Sequence, residues 1–139
     1  RPMNISGQDG LKLDDVWSKR PSAYLSITVP GFPNFFMLNG PNGPVGNFSL
    51  IEVAEMQLPY ILQLVESIRT GEHTAISVTK DTAESFEEMR SEEAKKSIWT
   101  TGCKSWYLDD RGIPAVWPWT VSRFQEEMSA PKMAAFVLA

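Results

Sequence analysis

The sequence predicts an α/β chain, α+β if it stands alone, with a few strands and three main helices. Three observations carry this. Residues 23–29, AYLSITV, alternate with a period of two and stop at Pro30. The run FFML, Phe35 to Leu38, is apolar on both faces, as a strand buried in a parallel sheet is. Then Ile51, Ala54, Leu58, Ile61, Leu62, Val65 and Ile68 recur at three- and four-residue steps, which places them on one helix face.

Taken in order, the elements have local causes. Gly7 and Gly10 bracket a turn between Ile5 and the alternating Leu11 and Leu13, which predicts a short hairpin. Asp14 and Asp15 are candidate caps for a helical turn holding Val16 and Trp17, ended before Pro21. The long helix is expected over about residues 47–70, with Asn47 or Ser49 as its cap and Gly71 as its stop. Pro59 should remove its bond to Glu55 and kink it. AISVT reads as a short strand. Asp81 followed by Glu84 reads as a capping box for a charged second helix. CKSWYL, Cys103 to Leu108, reads as a strand, DDRG as a turn, and a last helix should begin near Thr120. The tail AAFVLA ends apolar, with no element assigned to it.

Composition narrows the function classes. A chain of 139 residues makes about one ordinary domain, and 42% hydrophobic with 22% charged residues is a globular balance. A net charge of −4 argues against a nucleic-acid footprint, which needs a basic face. No apolar run approaches the ~20 residues of a membrane span. The lone cysteine, Cys103, forms no intrachain disulfide, which fits a reducing cytosol. Arg1 stands first instead of Met, so the beginning of a longer natural chain is expected to be missing.

Catalytic sets are few. His73 is the single histidine, so no histidine-rich metal site exists, and its place past a helix end suits a surface role. Lys104 could lower the thiol pKa of Cys103, but an apolar strand around it favours a core cysteine. The pairs Glu87/Glu88, Glu92/Glu93 and Glu126/Glu127 lie in helical runs and read as solvated charge. The glycines of GPNGPVG lack the spacing of a phosphate-binding loop.

The strand–GPNGPVGN–helix junction remains. A helix start leaves about four N–H groups unpaired under partial positive charge. Gly40, Gly43 and Gly46 would let the main chain approach a flat ligand there, beyond a strand's carboxyl end. The alternative is a tight strand-to-helix turn that binds nothing.

Three blocks, GLKLDDVW, AYLSITVPGFPNFFMLNGPNGPVGNFSLIEVAEMQLPYI and SIWTTGCKSWYLDDRGIPAVWPWTVSRF, resemble the C-terminal third of class B flavoprotein monooxygenases. These are the Baeyer–Villiger and cyclohexanone-monooxygenase-like enzymes, and the resemblance runs from about Gly7 to Phe124 in the family's order. The family's two dinucleotide-binding glycine fingerprints, and the FxGxxxHxxxWP-type motif between them, are absent. The resemblance therefore implies a C-terminal piece of a longer enzyme. Residues 1–72 would complete its three-layer FAD/NAD(P)-binding domain, and 73–139 would be a C-terminal extension.

That resemblance also implies roles. Gly40, Pro41 and Asn42 would turn the chain over FAD, with Gly46 baring the main chain. Backbone near Ser49 and Leu50 would face the flavin's pyrimidine edge, while Asn47 and Phe48 would line the substrate pocket. Trp106 would meet NADP, beside Ser105 and Tyr107; a core tryptophan is the competing reading. Trp117 and Trp119 are expected to pack. The parent would use NADPH and O2, through a C4a-(hydro)peroxyflavin, to insert oxygen into a ketone or onto a heteroatom. This piece would supply one wall of that site, hold no cofactor tightly alone, and self-associate through apolar surface. An amine N-hydroxylase and a non-catalytic interaction module are the alternatives.

Overall fold

In a computed structural model of the chain, residues 3–46, 48–102 and 105–139 are described. The elements are α1 (Leu13–Val16), α2 (Leu50–Arg69), β1 (Ile76–Val78), α3 (Lys80–Ala94), α4 (Val121–Ser129) and β2 (Phe136–Leu138). The hairpin before α1 forms as expected: Ser6 bridges Lys12, and the Gly7 N–H donates to the Leu11 carbonyl at 2.7 Å. Lys12, not an aspartate, occupies the cap of α1; Asp14 and Asp15 sit in its first turn, where the dipole favours them.

Ala23–Val29 does not form the strand its alternation predicts. All seven residues are buried, and the chain reverses on itself through Leu25 (φ 51°) and Ser26 (φ 62°), with Tyr24 bridging Thr28. Period-two patterning marks one wet face, and here neither face is wet, so the pattern carried no information. Phe35–Leu38 is not a strand either. Asn34 (φ 59°) and Asn39 (φ 52°) bend the backbone at both ends, and Leu38 is exposed. Two bonds hold the segment to the reversal: Met37 N–H to Ile27 O at 2.8 Å and Gly40 N–H to Ser26 O at 3.0 Å.

Helix α2 begins where Ser49 caps it, accepting from the Ile51 N–H, and ends before Gly71 in the left-handed region. It runs unbroken through Pro59. Its buried face, however, is Val53, Gln57, Tyr60, Ile61 and Leu64. Of the predicted stripe, Ile51 (72% exposed), Leu58, Leu62 (53%) and Val65 face outward. Gln57 explains the choice. Its buried amide accepts from Asn39 N–H at 2.8 Å and donates to Leu25 O at 3.4 Å, so a polar residue belongs inside.

Strand β1 forms as predicted. The tail, unassigned by the sequence, becomes β2 and pairs antiparallel with it, Val78 opposite Phe136. Thr79, not Asp81, caps α3, accepting from Thr82 N–H at 3.2 Å. Thr120 caps α4 as expected. Of the segment Cys103–Leu108, the first two residues lie outside the described set, and the rest is turn with one bridge, Leu108 to Pro114. The main core draws on both parts of the chain: Leu25, Ile27, Val53 and Leu64 pack with Ile76, Phe86, Trp117, Phe124 and Phe136. No helix among the described residues is long and apolar enough to cross a membrane.

Candidate functional site

A cavity of about 410 Å³ lies between Gly40–Asn42 and Val45 on one side and Trp106–Asp110 with Ala115 on the other. Glu87 and Arg90 of α3 line it, as do Lys19 and Arg20. The two stretches singled out from the sequence, 64 positions apart, thus meet around one space. Trp117 N–H donates to Gly43 O at 3.0 Å and ties the two walls together.

The first wall is built by close packing. A Cβ on Gly40 would stand 2.4 Å from Ser26 O, and one on Gly43 would stand 2.8 Å from Ser26 Oγ. Ser26 is buried, and its hydroxyl donates to the Gly40 carbonyl. The chain's own reversal at Leu25–Ser26 is therefore by itself sufficient reason for glycine at these two positions. Gly46 behaves differently: at φ 88° it has no heavy atom within 4 Å of its Cβ position. Asn42 (φ 66°) is only 7% exposed, yet its Oδ1 finds no hydrogen-bond partner among the described residues. A buried acceptor without a donor is costly, so this atom fits a ligand N–H or O–H.

The second wall is held by charge. Trp106 is 83% exposed and stacks on Tyr107 with centroids 3.8 Å apart, so it stands outside the core formed by these residues. Trp117 and Trp119 do pack, edge to face at 4.7 Å. Behind Trp106, Asp109 Oδ1 accepts the N–H groups of Arg111 and Ile113 at 2.9 and 3.0 Å. Burial pushes Asp109 up, but hydrogen bonds from Arg111 and these amides outweigh it and hold the carboxyl below its ordinary value. Glu87 behaves alike: burial raises it, and Arg90, Ser91 and Arg111 bring it below the usual range.

The other predicted residues lie elsewhere. Ser49 caps α2, Leu50 is exposed on its first turn, and Phe48 is half-buried against the main core. Asn47 falls outside the described residues. Sequence reasoning missed the roles of Ser26, Glu87 and Arg90. The last two looked like solvated helix charge, because an i,i+3 acid–base pair reads the same whether it faces water or the core. Among the described residues, no group of three His, Cys, Asp or Glu could hold a metal ion.

No family model matches the chain. A monooxygenase of Mycobacterium bovis, uncharacterized, is 43% identical over 123 residues, 88% of this chain and 25% of that protein. A Baeyer–Villiger monooxygenase of Pseudomonas aeruginosa is 38% identical over 75% of this chain and 20% of its own length. Cyclohexanone monooxygenase from Rhodococcus sp. Phi1, a triple mutant whose crystal structure holds NADP+, superposes with a TM-score of 0.82 at 27% identity. That match covers 99% of this chain and 26% of the enzyme. Fold and sequence together make the chain a homologue of flavin-dependent monooxygenases over most of its own length. Baeyer–Villiger monooxygenases and cyclohexanone monooxygenase structures are among the proteins it resembles. The chain spans about a quarter of the length of the curated relatives it matches.

Proposed function

We propose that the chain forms one wall of the active site of an FAD- and NADPH-dependent monooxygenase acting on a ketone or a heteroatom. The observation that carries this is the unpartnered, buried Asn42 Oδ1 opposite an exposed indole across one cavity. When bound, flavin supplies the oxygen-transfer chemistry. The chain's residues bind and orient: Asn42 accepts from the ligand, Gly46 leaves room for it, and the first turn of α2 presents N–H groups behind Ser49. The Trp106 indole offers a planar face to the nicotinamide nucleotide. Residues 1–72 belong to the FAD domain and 73–139 extend it, with the shared core joining them. By itself the chain is inactive and cytoplasmic, and it self-associates through the outward face of α2.

The test is NADPH oxidation by the longer polypeptide that contains this chain, with ketones and with amines as separate substrates. Ketone-dependent turnover supports the reading, whereas turnover with amines alone would make the protein an N-hydroxylase. Flavin titration of the 139-residue chain should show no tight binding. Micromolar or stronger affinity would instead mark a module complete in itself.

A further inference from the structure

We propose that Arg90 is the positioning residue of the Trp106 wall, locking the 105–117 segment onto α3. The lock itself rests on geometry alone; its consequence for nucleotide rests on the function proposed above. Arg90 is 1% exposed, in the second half of the strongly charged α3. A guanidinium has five N–H groups, and all are used here. Nη1 donates to Pro114 O at 2.7 Å and Val116 O at 3.2 Å. Nε and Nη2 grip Glu87 at 2.7 and 2.8 Å, and Nη2 also reaches Ser91 Oγ at 3.3 Å.

The two carbonyls flank Ala115, which lines the cavity. Glu87 then extends the lock to the other end of the segment. It accepts from Arg111 Nη2 at 3.2 Å, and Arg111 closes on Asp109 three residues beyond Trp106. Trp106 makes little packing contact of its own, so its place is set by the backbone that carries it. Lysine cannot substitute, because its three donors leave one point and cannot span a carboxylate and two carbonyls. Stability alone does not call for this arrangement, since a buried ion pair is often matched by apolar side chains of the same volume. What the guanidinium adds is direction: it fixes where two carbonyls point.

The experiment is residue-resolved hydrogen exchange on the 139-residue chain with Arg90→Lys, paired with NADPH kinetics of the longer polypeptide carrying the same change. Amides of residues 107–117 should exchange about ten-fold faster, while those of α2 and β1 keep their rates. The NADPH KM should rise about ten-fold with FAD content unchanged, a split that simple loss of stability would not produce. Uniformly faster exchange, unchanged exchange, or an unchanged KM would each overturn the proposal. Glu87→Gln, which leaves Arg90 its carbonyl acceptors, is read by the same criteria if the lysine variant does not fold. A wild-type polypeptide that oxidises no NADPH would refute the proposed function, and the exchange result alone would then decide the role of Arg90.

Discussion

The wall at Gly40–Val45 and the wall at Ser105–Trp117 face one cavity, but different forces hold them. The first is fixed by steric fit: two glycines lie against Ser26, so shape alone dictates its backbone. The second exposes Trp106, stacked on a half-buried Tyr107, and besides the packing of its far end at Trp117 a saturated guanidinium holds it from behind. A packed wall should respond to volume and ignore pH, whereas a hydrogen-bonded wall should do the reverse. The pair therefore separates two ways of making a rigid surface.

The largest effect should come from Arg90→Met. It takes from Glu87 its bidentate partner, leaving Arg111 and Ser91, and removes the donor to two carbonyls, so about 3 kcal/mol of unfolding free energy should be lost in urea titration. A loss under about 1 kcal/mol would show the lock to be decoration. Next, Gly40→Ala should cost about 2 kcal/mol by forcing a methyl against the Ser26 carbonyl, while Gly46→Ala should cost about 1 kcal/mol from its backbone angle alone. Equal losses at the two positions would dissolve the steric account of the first wall.

Acid should distinguish the walls further. Glu87 is held below its ordinary value of 4.5 in the folded state. Its contribution is present above that unfolded value and is lost as pH falls through the lower folded one. Melting temperature followed from neutral pH into acid should therefore fall less steeply in Glu87→Gln than in the native chain, with Gly40→Ala parallel to native. Smaller again, Leu62→Ser should shift the chain toward monomer in light scattering at micromolar concentrations, because it interrupts the outward stripe of α2. Least of all, Trp106→Ala should change stability by under about 0.5 kcal/mol.

Much of the frame was legible because its causes are local. Ser49, Thr120, Gly71 and the Asp109–Gly112 turn announce element ends by chemistry that needs no distant partner. What misled were residues whose meaning is set from afar. Helix α2 carries two apolar stripes, and only the partners of Gln57 reveal which one is inside. Gly40 and Gly43 gave no hint of Ser26, which by itself accounts for them, because it sits in a segment that itself read as a strand. Arg90 was invisible for the same reason: nothing in EEMRSEEA says which of its charges turns inward.

Gln57 has a mechanical consequence. One amide in the interior of α2 grips the reversal at Leu25 with its nitrogen and the approach to the cavity at Asn39 with its oxygen. Both loops are thereby indexed to a single point along one axis. Should the helix slide or rotate when something docks on its outer stripe, the rim at Gly40–Asn42 must travel with it, so a contact made on the far side of α2 would be felt at the mouth of the cavity.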